Sequence, residues 1–322
     1  MDYLELLKQV GILCIGFILL LKGADWFVEG ASKLADRFGI PQLIIGLTIV
    51  AMGTSAPEAA ISIKAAISGD AGISIGNVVG SNIMNILFIL GLTALIIAIP
   101  LQKSTFSIEI PFMILITGLL LFLGIQNHDI SRLDGGIFWV LFITFLAYLL
   151  IMAKKGKNIY IEEEPPKSSN SKKKNSIWLI LLLVVIGAAM IVFGADITVK
   201  SASSIADMFG MSDRIIGLTI VAFGTSLPEL ITSLTAALKK KADIAIGNIV
   251  GSNIFNILFV CGTAALIHPI PFENKFILDS IIAIVAAVLL FLFVLKDRKL
   301  KRLGGFIMLG SYIAYLTYTI VA

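Results

Sequence analysis

The sequence predicts an all-α membrane protein with ten transmembrane helices, built as two inverted five-helix repeats. The composition, the number of apolar stretches and an internal repeat predict this fold. Of the 322 residues, 58% are hydrophobic and 14% are charged, and the mean hydropathy is +0.99. Soluble domains average about half apolar and a quarter charged residues. The composition therefore disfavours a water-soluble enzyme, and the short segments between apolar stretches leave no room for a large soluble domain.

The apolar stretches divide the chain into ten predicted spans. A membrane helix needs about 20 apolar residues, and breakers or charges such as Pro41 and Asp70 separate the stretches. The start, MDYLELLKQV, lacks the basic region and cleavage site of a signal peptide, so we expect the first span to be retained. The predicted spans are 4–28, 41–67, 72–98, 106–125, 134–153, 176–198, 213–237, 243–267, 276–295 and 302–321.

One polar, low-complexity segment, residues 154–175, is predicted to be a solvated linker between an N-terminal repeat (1–153) and a C-terminal repeat (176–322). Short loops rich in Lys and Arg stay in the cytoplasm. With the linker inside the cell, 18 of the 25 basic residues are cytoplasmic. We therefore expect a multi-pass protein of the cell membrane with both termini outside.

The two halves of the chain superimpose when the sequence is shifted by 171 residues. Residues 23–58 and 194–229 are identical at 23 of 36 positions without a gap. The stretches that begin at Ile73 and Ile244 agree at 14 of 19 positions, including polar residues that an apolar composition does not explain. Because each half contains an odd number of predicted spans, the second half enters the membrane with the opposite orientation. Inverted repeats with broken helices and a midplane site are the plan of many secondary transporters.

Each repeat carries a Gly-Thr-Ser-x-Pro-Glu motif in the middle of a predicted span, at 53–58 and at 224–229. In the first copy Pro57 lacks an N–H and leaves the carbonyl group of Gly53 without its helical partner, and Pro228 does the same in the second. Free carbonyl groups inside a membrane are tolerated only where protein, water or an ion satisfies them. The motif therefore predicts two broken helices.

Polar side chains at helical spacing accompany both breaks. They share one face of each helix and of the span that follows, namely Thr54, Glu58, Ser62, Asn77, Ser81 and Asn85, and Thr225, Glu229, Ser233, Asn248, Ser252 and Asn256. These faces offer two carboxylates with amide and hydroxyl oxygens, and no imidazole or thiolate. An all-oxygen site suits hard cations such as Ca²⁺ or Na⁺. Acidic residues inside a membrane are functional candidates because a charge there is costly.

Other interpretations of these residues make different predictions. A lone membrane glutamate can be a packing residue, but two symmetric copies beside proline breaks argue against this, and a structural scaffold would tolerate their loss. A cation channel would use the same oxygens and conduct without countertransport. An intramembrane hydrolase needs an activated nucleophile, and neither Ser55 nor Ser226 has a histidine within reach by sequence. The repeated Asp25 and Asp196 leave two roles open, in loop anchoring or in a vestibule.

At these motifs the sequence resembles the cation/calcium antiporter superfamily, and most closely its prokaryotic sodium/calcium exchanger branch. That family carries GTS-x-P-[ED] in one helix and GS-N-x-x-[ND] in the next, and both copies stand in this chain. The resemblance covers all ten predicted spans. It implies ten helices, four central helices that bear the ions, and two long tilted helices that slide across this core. The implied partners are Ca²⁺, Na⁺ and the lipid bilayer, with no cofactor, no nucleic acid and a monomer as the functional unit.

Carried over residue by residue, the resemblance implies that Glu58 and Glu229 ligate Ca²⁺ directly and also serve Na⁺. It implies that Thr54 and Thr225 supply oxygens to the calcium site, chiefly through their carbonyl groups. The flanking sodium sites and the centre would be completed by Ser55, Ser81, Ser226, Ser252, the carbonyl groups of Ala51 and Ala222, and Asn85 and Asn256.

One central position varies within the family that the sequence resembles. Some members, including potassium-dependent exchangers, have Asp where this chain has Asn256, so the central quartet here has a formal charge of −2. This argues against potassium dependence, and the short linker leaves no room for the calcium-sensing domains of animal exchangers. We expect a secondary antiporter, not an enzyme, that exchanges cytoplasmic Ca²⁺ for external Na⁺ by alternating access. The alternative is a Ca²⁺/H⁺ antiporter that uses the same two glutamates.

Overall fold

The computed structural model describes residues 3–162, 176–210 and 222–321, which are predominantly helical. The helices are α1 (Tyr3–Phe38), α2 (Gln42–Thr54), α3 (Ala56–Ile67), α4 (Gly72–Ile96), α5 (Thr105–Asn127), α6 (Arg132–Glu162), α7 (Ile177–Met208), α8 (Ala222–Thr225), α9 (Leu227–Leu238), α10 (Ala242–Ile267), α11 (Asn274–Val294) and α12 (Arg302–Val321). Within these described ranges, seven helices are long and apolar enough to span a membrane, or eight when the bent pair of α2 and α3 counts as one span.

The helices α1 and α7 are longer than predicted. They contain 36 and 32 residues and run to Phe38 and Met208, beyond the predicted ends at 28 and 198. The predicted ends lie where charged and small residues interrupt the apolar stretch of each helix. The same segments are rich in Ala and contain Leu, Ile and Lys, most of which favour a helix, so the backbone continues without a break.

Glycines bring α1 and α7 together in antiparallel orientation. Gly16 meets Gly194 and Gly23 meets Gly187, so residue numbers rise along one helix while they fall along the other. A Cβ atom added at Gly187 would come within 2.6 Å of the backbone nitrogen of Phe27. Small residues at such a crossing let two helix backbones approach closely. Because α1 and α7 occupy equivalent places in the repeat, their antiparallel packing is the arrangement that inverted halves require.

Both Gly-Thr-Ser-x-Pro-Glu motifs break a helix, as the sequence predicts. The axes of α2 and α3 differ by 51° across Ser55, whose φ and ψ angles are −82° and 9°. Ser226 separates α8 from α9 with similar angles, −91° and 5°. Pro57 and Pro228 are the second residues of α3 and α9, where the missing N–H costs no helical hydrogen bond. The helix therefore restarts directly after each break, and the motif glutamate lies in its first turn.

The helices α4 and α10 form the centre of the protein. Each contains a π-helical stretch at the same place in the repeat, Met84–Leu90 in α4 and Asn256–Cys261 in α10. Wider turns of this kind frequently occur at functional sites. On α10, Cβ atoms added at Gly247 and Gly251 would lie within 2.9 Å of the α2 backbone. This close approach holds α10 against the helix that precedes the first break.

Four two-residue strands, which were not predicted, join the two halves. β1 (Ile99–Pro100) pairs antiparallel with β4 (Lys299–Leu300), and β2 (Asp129–Ile130) pairs antiparallel with β3 (Ile270–Pro271). Each pair links the residues that follow α4 or α10 to the residues that precede the last helix of the other half. In agreement with this exchange, α12 packs against the end of α4, and α6 packs against the end of α10.

The helix α6 extends into the predicted linker, 154–175. The helix α6 continues to Glu162, through lysines that favour a helix, whereas the predicted span ends at 153. The rest of the predicted linker, 163–175, lies outside the described residues. The same is true of 213–221, the start of the seventh predicted span.

Candidate functional site

The two motif glutamates are buried directly after the helix breaks. Glu58 lies in the first turn of α3 and is 1% exposed, and Glu229 lies in the first turn of α9 and is 0% exposed. The N-terminus of a helix carries a partial positive charge that favours a carboxylate. Each carboxyl group lies beside the helix break of the other repeat. The fold therefore brings together the two acidic residues that the sequence analysis selected.

Each carboxyl group accepts a hydrogen bond from a serine of the opposite half. The Ser55 Oγ atom donates to Glu229 Oε1 at 2.7 Å, and the Ser226 Oγ atom donates to Glu58 Oε1 at 3.4 Å. The Ser252 Oγ atom lies 3.4 Å from Glu229 Oε1. Each glutamate is thus held by the helix break of the other repeat, and five of the predicted ligands lie at one site.

One oxygen of each central side chain has no hydrogen-bond partner among the described residues. These buried atoms are Oε2 of Glu58 and Glu229 and Oδ1 of Asn85 and Asn256. All four side chains are at most 1% exposed. Buried polar atoms are normally paired, because leaving one unpaired costs about 1–3 kcal/mol. With both glutamates ionised, these four atoms only accept hydrogen bonds, and a cation satisfies such a set.

Further predicted ligands surround the carboxylates. The Thr54 Oγ1 atom donates to Asn248 Oδ1 at 3.0 Å, so this hydroxyl group is turned toward α10. The Ala51 carbonyl oxygen lies 3.4 Å from the Ser252 Oγ atom, which also approaches Glu229. These contacts place the Ala51 carbonyl group beside the acidic centre and the Thr54 side chain against α10.

Three more of the predicted ligands lie on α4 and α8. Ser81 makes no hydrogen bond to either glutamate within the described part of the chain, and it lines a cavity of about 190 Å³ between α4 and α12. Thr225 lines a second cavity, of about 390 Å³, between α3, α7 and α8. Ala222 is the first residue of α8.

Asparagines of the central helices support the backbone at the glutamates. The Asn77 Nδ2 atom donates to Ser62 Oγ at 2.9 Å and to the Glu58 carbonyl oxygen at 3.1 Å. Asn248 makes the equivalent two bonds in the second half, at 2.9 and 3.5 Å. The repeated Asn and Ser residues of the sequence analysis therefore meet as pairs and fix the first turns of α3 and α9.

Three buried polar residues near the centre or on neighbouring helices, Asn82, Asn253 and Glu109, received no role from the sequence. Asn82 and Asn253 are 3% and 1% exposed, and each donates to the backbone carbonyl group of the other at 3.2 Å. Glu109 is 0% exposed and accepts a hydrogen bond from the Tyr148 hydroxyl group at 2.5 Å. The signals were present: the two asparagines repeat at the common interval, and Glu109 is an acidic residue inside an apolar stretch.

The repeated aspartates have different partners. The Asp25 carboxylate pairs with the Lys239 ammonium group at 2.6 Å, which ties α1 to the loop that follows α9. Asp196 pairs at 2.8 Å with Lys200, one turn away on α7. The contact of Asp25 supports the loop-anchoring interpretation for that residue.

A bundle of membrane-length helices around a buried, acidic, all-oxygen centre defines a class of protein, the membrane ion transporters. The two halves match the family described as "Sodium/calcium exchanger protein", at residues 8–151 and again at 179–321. The chain belongs to this family. The matches begin 171 residues apart, which is the interval of the internal repeat. The resemblance found in the sequence is confirmed, and the protein is a transporter and not an enzyme.

Similar proteins cover almost the whole chain. A protein named CaxA from Alkalimonas amylolytica is 40% identical over 307 residues, which are 94% of this chain and 95% of that protein. The sodium/calcium exchanger MaX1 from Methanosarcina acetivorans is 33% identical and covers 95% of this chain and 96% of its own length. A solved structure of the sodium-calcium exchanger NCX_Mj, soaked with 10 mM Na⁺ and zero Ca²⁺, superimposes with a TM-score of 0.83 at 36% identity. That superposition covers 97% of this chain and 99% of NCX_Mj.

Proposed function

We propose that this protein is a secondary antiporter that exchanges cytoplasmic Ca²⁺ for external Na⁺ at one shared site, by alternating access. The observation that carries the proposal is a set of buried oxygens, on Glu58, Glu229, Asn85 and Asn256, that have no hydrogen-bond partner within residues 3–162, 176–210 and 222–321. Carboxylate and amide oxygens suit hard cations. Membership of the sodium/calcium exchanger family and the similarity to NCX_Mj support the choice of these two ions.

The charge of the centre limits what it can carry. Glu58 and Glu229 supply two negative charges, which neutralise one Ca²⁺ or two Na⁺. A third Na⁺ would rest on neutral oxygens, and exchange of three Na⁺ for one Ca²⁺ would move one net charge per cycle. Moving one charge is worth about 2.3 kcal/mol per 100 mV, so a negative cell interior would help to expel Ca²⁺. The empty centre would not cross, because two bare carboxylates are costly inside a membrane.

The hydrogen bonds around the glutamates support a division of the ligand roles. The Thr54 hydroxyl group is engaged by Asn248, so we assign the Thr54 carbonyl oxygen to Ca²⁺, and Thr225 takes the same role in the second half. Ser55 and Ser226 donate their hydroxyl protons to the carboxylates, which leaves oxygen lone pairs for Na⁺. The sodium sites are completed by Ser81, Ser252 and the carbonyl groups of Ala51 and Ala222.

The proposal includes a topology of ten spans in two inverted repeats, 1–153 and 176–322. The antiparallel packing of α1 and α7 supports the inversion. The basic residues support a cytoplasmic 154–175 linker and external termini. In the transport cycle α1 and α7 would slide across the central segments α2–α3, α4, α8–α9 and α10. Because one chain supplies all the proposed ligands, we assign the function to a monomer in the lipid bilayer.

Uptake of ⁴⁵Ca²⁺ into proteoliposomes tests this function. Vesicles are loaded with Na⁺, with K⁺, or with a proton gradient and no Na⁺. We expect rapid uptake only into the Na⁺-loaded vesicles. Uptake driven by the proton gradient alone would identify the alternative, a Ca²⁺/H⁺ antiporter that uses the same glutamates. Uptake that needs no counter-ion would indicate a channel.

A further inference from the structure

Two buried asparagines, Asn82 on α4 and Asn253 on α10, bridge the halves of the protein. The Asn82 Nδ2 atom donates to the Asn253 backbone carbonyl oxygen, and the Asn253 Nδ2 atom donates to the Asn82 carbonyl oxygen, both at 3.2 Å. A backbone carbonyl group can only accept a hydrogen bond. Only the nitrogen of each side-chain amide can therefore face it, and each Oδ1 atom must point away.

The Oδ1 atoms of Asn82 and Asn253 orient two of the proposed ion ligands. The Asn256 Nδ2 atom donates to Asn82 Oδ1 at 3.2 Å, and the Asn85 Nδ2 atom donates to Asn253 Oδ1 at 2.9 Å. Because an amide oxygen can only accept, the nitrogen of each ligand side chain is held on this side. The Oδ1 atoms of Asn85 and Asn256 consequently point away, and these are atoms that have no hydrogen-bond partner in the described part of the chain.

Rotating an asparagine amide by half a turn exchanges its oxygen and nitrogen but leaves the shape of the side chain nearly unchanged. The turned amide presents an N–H donor instead of an oxygen, and a donor repels a cation. We propose that Asn82 and Asn253 are positioning residues that keep the amide oxygens of Asn256 and Asn85 directed at the transported ion. This inference rests on the proposed function, since it concerns the ligands of that exchange site.

The pairing makes a specific test possible, because Asn82 acts on Asn256 and Asn253 acts on Asn85. A carboxylate has two equivalent oxygens and needs no orientation, so Asn256→Asp should remove the need for Asn82 only. The Ca²⁺ Kd is measured by titration calorimetry on purified protein in detergent. We expect Asn82→Ala to weaken Ca²⁺ binding about tenfold in the wild type and in the Asn85→Asp background. In the Asn256→Asp background we expect no weakening, because the Asn82 Oδ1 atom there faces a second acceptor instead of an N–H donor.

Asn253→Ala is the matched control and should show the reverse pattern. Its effect should disappear in the Asn85→Asp background and persist in the Asn256→Asp background. An equal loss of affinity in every background would show a purely structural role and overturn the inference. If an alanine variant does not fold, as judged by its elution profile and Tm, the serine variant replaces it in the same cycle.

The binding measurement separates failure of this inference from failure of the proposed function. Titration at equilibrium requires no transport, so a wild type that binds Ca²⁺ without sodium-driven uptake would overturn exchange alone. Loss of the background dependence would overturn the positioning role alone, whatever the uptake assay shows.

Discussion

Replacing Glu58 with Gln removes one of the two central charges while preserving the shape of the side chain. The glutamine Oε1 atom can still accept the hydrogen bond from Ser226 that spans the halves, so we expect the variant to fold. The amide nitrogen takes the place of the unpaired Oε2 atom and turns an acceptor for the cation into a donor. Ca²⁺ and the Glu58 carboxylate would form a buried pair of opposite charges. Removing one partner of such a pair costs about 3–5 kcal/mol. Since about 1.4 kcal/mol is tenfold, the Ca²⁺ affinity should fall by at least about a hundredfold.

The assay is sodium-driven ⁴⁵Ca²⁺ uptake into proteoliposomes, with Tm measured on the same preparations. Glu58→Gln and Glu229→Gln should both lose uptake and keep a folded state. Glu109→Gln is the matched control, because Glu109 is equally buried but bonds to Tyr148 on the peripheral helix α6. It should keep uptake. Robust sodium-driven uptake by both central variants would refute the site assignment, and equal loss in the control would show that the effect is not specific to the centre.

Four further predictions concern charge, topology and helix packing. Exchange should run equally well with K⁺ or choline as the companion ion, because Asn256 adds no third charge, and a requirement for K⁺ would contradict this reasoning. Asn256→Asp should keep exchange but be inhibited as the pH of a flux assay falls, because protons compete for three neighbouring carboxylates. Cysteines in the 154–175 linker should react with an impermeant thiol reagent only from the cytoplasm. Labelling of these cysteines in intact cells would show that the protein has the opposite orientation. Gly187→Val should destabilise the protein by about 1–3 kcal/mol and lower its Tm, because the added Cβ atom meets the Phe27 backbone. Gly11→Val is the control and should leave the Tm unchanged, because a Cβ atom at Gly11 faces open space.

The internal repeat made the acidic centre predictable. Glu58 and Glu229 stand out because a polar motif recurs at a fixed interval inside apolar spans, where composition alone would place leucine or isoleucine. Proline chemistry predicts the helix breaks, since Pro57 and Pro228 cannot donate the hydrogen bond that a continuous helix needs. The structure places both glutamates at those breaks, buried and each bonded to a serine of the other break.

Contacts between distant residues were not predictable in the same way. Asn82 and Asn253 are 171 residues apart, and no local pattern indicates that each side chain bonds the backbone of the other. The ends of α1 and α7 were placed too early because hydropathy falls where charged residues begin, although the helix continues. The two-residue strands are too short to leave a periodic signal and depend on the arrangement of the two halves.

The central claim is that Ca²⁺ and Na⁺ occupy one buried centre in turn. The most direct measurement is the Ca²⁺ Kd of the purified wild type at increasing Na⁺ concentration, with choline holding the ionic strength constant. A shared centre predicts that the apparent Kd rises without limit and more steeply than the Na⁺ concentration, because more than one Na⁺ must leave for each Ca²⁺. Separate sites coupled by a finite free energy give a plateau. A Kd that levels off at high Na⁺, or does not change, would contradict the claim.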